Sequence, residues 1–152
     1  MTNIFVDSDI IIDLLAKREH YVEAAELLSV IRNKEIYAYT TPLVLANVDY
    51  VVTKYSNRRK SKKAIQELRK YLSILTMDEI TVDKAIDSPL TDFEDALQYH
   101  AAESQNIDFI VTRNVKDYKK GNIKIITAEE CVKLHKAKDD MQSQPRSNTI
   151  HG

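Results

Sequence analysis

Short apolar runs alternate with longer stretches of helical periodicity along most of this chain of 152 residues. Five of the short runs have the length and apolar content of buried strands: residues 3–6, 36–40, 73–77, 109–112 and 124–126. Strands that are separated by helices pair in parallel, because each return to the sheet needs a crossover. The alternation therefore predicts one α/β domain with a parallel sheet of about five strands. We place this domain at residues 1–135 and predict a flexible tail over residues 136–152, where little could join a core.

The stretches between the predicted strands carry signals of helix starts. Thr41 precedes a proline, as an N-cap residue often does. Thr91 with Glu94, and Thr127 with Glu130, have the spacing of capping boxes. These signals and the apolar periodicity predict helices over residues 9–17, 21–33, 42–52 and 57–72, a short helix after residue 81, and helices over residues 91–105 and 127–135.

Composition excludes several classes of function. The formal net charge of −1 at pH 7 argues against a protein that coats nucleic acid, although it allows a local basic patch. A single cysteine, Cys131, provides neither a disulfide framework nor a thiolate zinc site, and the cytoplasm is the predicted compartment. No run approaches the ~20 apolar residues of a membrane span, and the N-terminus has no leader pattern. With only two glycines, the chain cannot form a dinucleotide fingerprint or a P-loop.

Carboxylates follow the first predicted strand and open a later helix. Asp7 ends the apolar run at residues 4–6, and Asp9 follows two residues later. Asp92 and Asp95 lie three residues apart and therefore share one face of their helix. Because ligands bind at the carboxyl ends of parallel strands, these acids are candidates for holding a hard cation such as Mg²⁺. The structural alternative is that they cap helices and stabilise helix dipoles.

A further polar cluster follows the fourth predicted strand. It spans residues 112–114, with Asp117 three residues later. A parallel sheet can bring Asp7, Asp95 and Asp117 to one edge. Carboxylates that cluster in this way repel one another unless a cation lies among them, which is the setting of metal-assisted phosphodiester hydrolysis. The alternative is an ordinary polar loop in which Asn114 and Asp117 form turns.

Four segments of the chain together resemble the PIN domain family of metal-dependent nucleases. They are FVDSDIIIDLL, TTPLVLANVDYVV, DFEDALQYHAAE and DFIVTRNVKDY. The resemblance implies a three-layer fold with helices on both faces of the parallel sheet, and acids that converge at one edge to bind Mg²⁺ or Mn²⁺. It also implies hydrolysis of RNA, often by the toxin of a toxin–antitoxin pair. Similar proteins form homodimers and are blocked by a small antitoxin, so we expect both kinds of partner here.

The resemblance also assigns roles to individual residues. Asp7 matches the first acid of the family and Asp95 the third, with Asp92 as a further candidate beside it. The second acid falls at Asn47 and the fourth at Asn114, and these amides bring no charge to a cation. The expected metal ligands are therefore Asp7, Asp92 and Asp95. The catalytic candidates are those three aspartates and, from the same loop as the fourth site, Asp117. The supporting candidates are Asn47, Asn114, Thr112 and Asp9, which stands where the family often has asparagine.

A basic segment begins the fourth predicted helix, where positive charge opposes the helix dipole. Contact with an RNA backbone would explain these cations, and such binding would weaken as salt rises. The alternative is a solvated helix face, because lysine is common on protein surfaces. Together with two residues of the loop after the fourth strand, the candidate RNA contacts are Arg58, Arg59, Lys60, Lys62, Lys63, Arg113 and Lys116.

Two other functions compete with the nuclease. The run from Asp7 to Ile10 fits the opening motif of haloacid-dehalogenase-type phosphatases, in which Asp7 would be the nucleophile and Asp9 the acid/base. That family also has a glycine–aspartate motif late in the chain, which residues 90–130 lack. The other competitor is a PIN-like module that binds RNA or protein without cleaving it, and Asn47 and Asn114 support this alternative.

Overall fold

The computed structural model describes residues 1–118 and 121–143, without the side chains of residues 117 and 137–143. Its five strands are β1 (Asn3–Val6), β2 (Tyr37–Thr40), β3 (Leu72–Ile74), β4 (Phe109–Val111) and β5 (Lys124–Ile126). Its α-helices are α1 (Ser8–Leu15), α2 (Tyr21–Arg32), α3 (Pro42–Tyr55), α4 (Arg58–Arg69), α5 (Glu79–Ile86), α6 (Phe93–Ser104) and α7 (Ala128–Ser143). A short 3₁₀ helix, Val115–Tyr118, follows β4.

The strands form one parallel sheet in the order β3-β2-β1-β4-β5, with β1 in the centre. Ile4 and Phe5 of β1 are fully buried, and Val6 is 3% exposed. Because successive side chains of a strand point to opposite faces, burial of all three means that helices cover both faces of the sheet. The predicted parallel α/β sheet is therefore confirmed.

The order of the strands explains where a site can form. The chain leaves β1 toward β2 and β3 on one side, and it returns to β4 and β5 on the other. The crevice at such a reversal is the usual place for ligands in open parallel sheets. Val6 pairs with Val111, and the Asp7 backbone N–H donates to the Val111 carbonyl oxygen at 3.0 Å. Asp7 and Thr112 consequently leave the sheet side by side at this crevice.

Helix starts agree with the sequence at two of the three predicted caps. Thr41 Oγ1 accepts a hydrogen bond from the Val44 N–H at 3.1 Å, and Thr127 Oγ1 accepts from the Glu130 N–H at 3.1 Å. The predicted capping box that begins at Thr91 is wrong. Helix α6 begins one residue later, with Asp92 as its N-cap. Threonine and aspartate are both good N-cap residues, so their sequence could not decide between neighbouring positions.

Three predicted boundaries also need correction. Strand β3 is Leu72–Ile74 rather than residues 73–77, and α5 begins at Glu79 because Asp78 caps it. Helix α7 continues to Ser143, so the predicted boundary at residue 135 falls inside a helix. Lysine, alanine, methionine and glutamine propagate a helix well without an apolar face, which the prediction overlooked. Residues 144–152 of the predicted tail lie outside the described part of the chain. The other predicted elements agree within three residues at each end.

None of the helices in the described part of the chain has the length and apolar content needed to cross a membrane.

Candidate active site

Asp7 is the centre of the polar cluster at the crevice. Its side chain is 7% exposed and caps α1, since Oδ1 accepts from the Ser8 N–H at 2.7 Å. Oδ2 accepts from Thr112 Oγ1 at 3.0 Å and from the Tyr118 hydroxyl at 3.2 Å. Gln98 Nε2 approaches Oδ1 at 3.5 Å. With donors on both oxygens, this carboxylate is held in one orientation.

Asp9 lies beside Asp7 and shares its threonine. Asp9 Oδ2 is 3.1 Å from Thr112 Oγ1 and accepts from the Arg113 N–H at 3.0 Å. A threonine hydroxyl has one hydrogen, so Thr112 donates to one of the two carboxylates at a time. Burial, and then the charge of Asp7, raise the pKa of Asp9 to about 6, against the smaller lowering by these hydrogen bonds.

Tyr118 joins Asp7 to Asp95. The tyrosine side chain is fully buried, and its hydroxyl lies within hydrogen-bonding reach of both carboxylates. Burial raises its pKa above the ordinary value, and the charges of Asp7 and Asp95 raise it further. The hydroxyl therefore stays protonated and can donate to either acid. The predicted pair Asp7 and Asp95 is thus brought together around one donor.

Sequence reasoning missed Tyr118 and Gln98. Gln98 is 1% exposed and links Asp7 to the start of α3, because its Oε1 accepts from Thr41 Oγ1 at 3.3 Å. A large aromatic residue in an otherwise polar loop was the available signal for Tyr118. Gln98 lies between Leu97 and Tyr99 and gave no comparable signal.

The other candidate acids and amides have separate places. Asp92 is exposed, and its Oδ1 accepts from the Asp95 N–H at 2.9 Å, so its observed role is to cap α6. Asn47 Nδ2 donates to Glu94 Oε1 at 2.5 Å. The Asn114 N–H donates to Thr112 Oγ1 at 3.1 Å. The side chain of Asp117, the fourth catalytic candidate, lies outside what the structure describes.

The five candidate RNA-binding cations at the start of α4 are all exposed. Helix α4 packs against α3, where Ser61 Oγ donates to Asp49 Oδ1 at 2.6 Å. Within the described residues, none of these cations forms an ion pair. Lys116 is exposed as well. Arg113 differs, because its Nε lies 2.7 Å from Oδ2 of Asp13, a carboxylate that is only 1% exposed.

The residues at the crevice fit a hard divalent cation with few protein ligands. The part of the chain that is described has no ready-made group of three or more His, Cys, Asp or Glu side chains for a metal. However, Mg²⁺ is commonly bound through one or two carboxylates, with water and substrate phosphates at the other positions. Asp7 and Asp95, which meet at Tyr118, provide two such carboxylates. The donors at this point are oxygen atoms, which suit Mg²⁺ or Mn²⁺ better than zinc.

The sequence matches the model of the PIN domain family over residues 3–116, and the chain belongs to that family. One relative is Ribonuclease VapC1 of Aquifex aeolicus, which is 26% identical over 133 residues, covering 84% of this chain and 91% of that protein. Because the chain belongs to the PIN domain family, the alternative of a haloacid-dehalogenase-type phosphatase is rejected.

Solved structures with the same fold include VapBC2 from Rickettsia felis bound to a DNA fragment from its promoter. It has a TM-score of 0.62 and 18% identity, covering 82% of this chain and 97% of that chain. VapC20 of Mycobacterium tuberculosis, a toxin that cleaves the sarcin–ricin loop, has a TM-score of 0.58 and 16% identity, covering 70% of this chain and 86% of that chain. These likenesses confirm the predicted PIN-like fold.

Proposed function

We propose that this protein is a metal-dependent ribonuclease and the toxin of a toxin–antitoxin pair. The observation that carries the proposal is the approach of two carboxylates, the buried Asp7 and the half-buried Asp95, to one tyrosine hydroxyl at the reversal point of the sheet. Membership of the PIN domain family and the ribonuclease named among its relatives support the same reaction.

In this proposal Asp7 and Asp95 hold the cation, and Asp92 stands at the edge of the site. Mg²⁺ or Mn²⁺ held there would lower the pKa of a bound water and offset the negative charge of the scissile phosphate. Thr112, Tyr118 and Gln98 keep Asp7 in a fixed orientation.

Hydrolysis by attack of water in line leaves a 5′-phosphate and a 3′-hydroxyl. The reaction needs no side-chain nucleophile. Burial raises the pKa of the only thiol, Cys131, to about 11, which makes it a poor one.

The exposed cations of α4, together with Lys116, are the proposed contacts for the RNA backbone. They form no ion pairs among the described residues, so their charge is available to phosphates. Arg113 is the weakest member of the predicted set, because its guanidinium already pairs with Asp13.

The proposed protein partners are a small antitoxin and a second copy of the chain, both in the cytoplasm. Solved structures with this fold include complexes described as VapBC and as a toxin–antitoxin complex. A groove of about 530 Å³ between α1 and α3 offers an apolar surface to an antitoxin segment. Its lining includes Ile12, Leu15, Val51, Val52 and Tyr55. Exposed apolar residues on α5 suit contact between two copies: Ile80, Val82 and Ile86.

The experiment that tests the function is cleavage of a mixed pool of single-stranded RNA by the purified protein. We expect cleavage with Mn²⁺ or Mg²⁺, none with EDTA, and none with Asp7→Asn or Asp95→Asn. Asp83→Asn, an exposed aspartate of α5, is the matched control and should cleave like the wild type. A folded, antitoxin-free protein that binds RNA but never cleaves it would favour the binding module, which the amides Asn47 and Asn114 support.

A further inference from the structure

A contact between α3 and α6 joins an amide to a carboxylate beside the candidate active site. Asn47 of α3 donates through Nδ2 to Oε1 of Glu94 of α6 at 2.5 Å. Both side chains are half-buried. The sequence suggested that Glu94 caps its own helix, but in the structure Asp92 caps α6 and Glu94 reaches across to α3.

Glu94 lies on the same face of α6 as Gln98, the glutamine that contacts Asp7. Glu94 and Gln98 are four residues apart and so lie one above the other on the same helix face. Gln98 contacts Asp7 through Nε2 and Thr41 through Oε1. The two contacts, Thr41 with Gln98 and Asn47 with Glu94, form a polar seam between α3 and α6 that runs outward from Asp7.

The pair of Asn47 and Glu94 has a net negative charge, which lies on this seam. Asn47 carries no charge, and its amide nitrogen is used by Glu94, which leaves its oxygen for another partner. Within the described residues, no lysine, arginine or histidine forms an ion pair with Glu94. A half-buried carboxylate with no cationic side chain beside it favours a cation from solution.

We propose that Glu94 supplies the negative charge that Asn47 does not, so that α3 and α6 together attract the divalent cation held by Asp7 and Asp95. Asn47 is then a positioning residue, which holds Glu94 and sets its direction. This inference rests on the proposed function, and it makes Glu94 a source of charge near the cation rather than a third ligand, since the described residues contain no group of three ligating acids.

The test is the affinity for Mn²⁺, measured from the metal dependence of thermal unfolding. Glu94→Gln should weaken Mn²⁺ binding about tenfold or more, as changes next to metal ligands commonly do. Glu79→Gln removes a glutamate from the first turn of α5, and this matched control should bind like the wild type. The double variant Asn47→Asp/Glu94→Gln reverses the donor and acceptor, restores the charge, and should recover most of the affinity. Unfolding without metal shows that each variant is folded.

The outcomes separate this inference from the function on which it rests. Wild-type affinity in Glu94→Gln, with binding lost in Asp7→Asn, would overturn the role of Glu94 and leave the nuclease intact. Failure of the double variant to recover affinity would overturn the role of Glu94 as a source of charge. Absence of Mn²⁺ binding in the wild type would overturn both proposals together.

Discussion

Asp9 should make the metal-free protein less stable at neutral pH than at mildly acidic pH. Its carboxyl is mostly buried next to the charge of Asp7, and these two effects raise its pKa from the ordinary 3.8 to about 6. The perturbation that isolates the effect is Asp9→Asn. An asparagine oxygen can still accept the hydrogen bonds from Thr112 and the Arg113 N–H, so the change removes charge while keeping the contacts.

The magnitude follows from the separation between the folded and unfolded pKa values. Because the folded state binds the proton more tightly, the stabilisation that Asp9 contributes is complete below pH 3.8 and is lost as the pH rises through about 6. Above that range the ionised carboxylate lowers the free energy of unfolding by about 3 kcal/mol. Asp9→Asn should therefore stabilise the protein by about 3 kcal/mol near pH 7.5, and by roughly half as much near pH 5.

Urea unfolding measures this difference in stability. EDTA is present because a bound cation would favour the charged form of the Asp9 carboxyl. The wild type, Asp9→Asn and the exposed control Asp83→Asn would be compared at both pH values. The control should change stability by less than about 0.5 kcal/mol. Unchanged or lower stability of Asp9→Asn near neutral pH would contradict the raised pKa of Asp9 and its cause in burial and the charge of Asp7.

Three further predictions follow from single contacts. Tyr118→Phe removes the buried donor to Asp7 and should lower the free energy of unfolding by about 1.5–3 kcal/mol, as measured by urea unfolding in EDTA. Arg113→Ala leaves its buried aspartate partner unpaired and should cost about 1–3 kcal/mol in the same assay, and an unchanged stability would return Arg113 to the RNA-binding set. Lys62→Ala/Lys63→Ala should reduce the slope of log affinity against log salt by about 1.4 for single-stranded RNA, and an unchanged slope would place the RNA elsewhere.

The sequence was sufficient to predict the parallel sheet and the place of its first acid. The alternation of short apolar runs with helical stretches indicates the sheet, and the apolar run that ends in Asp7 places this acid at the end of a strand. Asp95 could also be proposed from the sequence, since acids three residues apart on a helix share a face. Its approach to Asp7 needed the fold.

The residues that sequence reasoning missed act through long-range contacts. Tyr118 is separated from Asp7 by more than a hundred residues, and Gln98 by about ninety. Their roles depend on how the loop after β4 and the helix α6 pack over the end of β1. Glu94 was assigned to a capping box because its contact with Asn47 crosses between two helices. No local pattern shows such a contact.

The most direct test of the central claim is anomalous diffraction from a crystal of the protein grown with Mn²⁺. We expect a manganese peak within bonding distance of carboxylate oxygens from both Asp7 and Asp95. A peak bound elsewhere, in a protein that cleaves RNA only with Mn²⁺, would contradict the assignment of these two aspartates as the cation site.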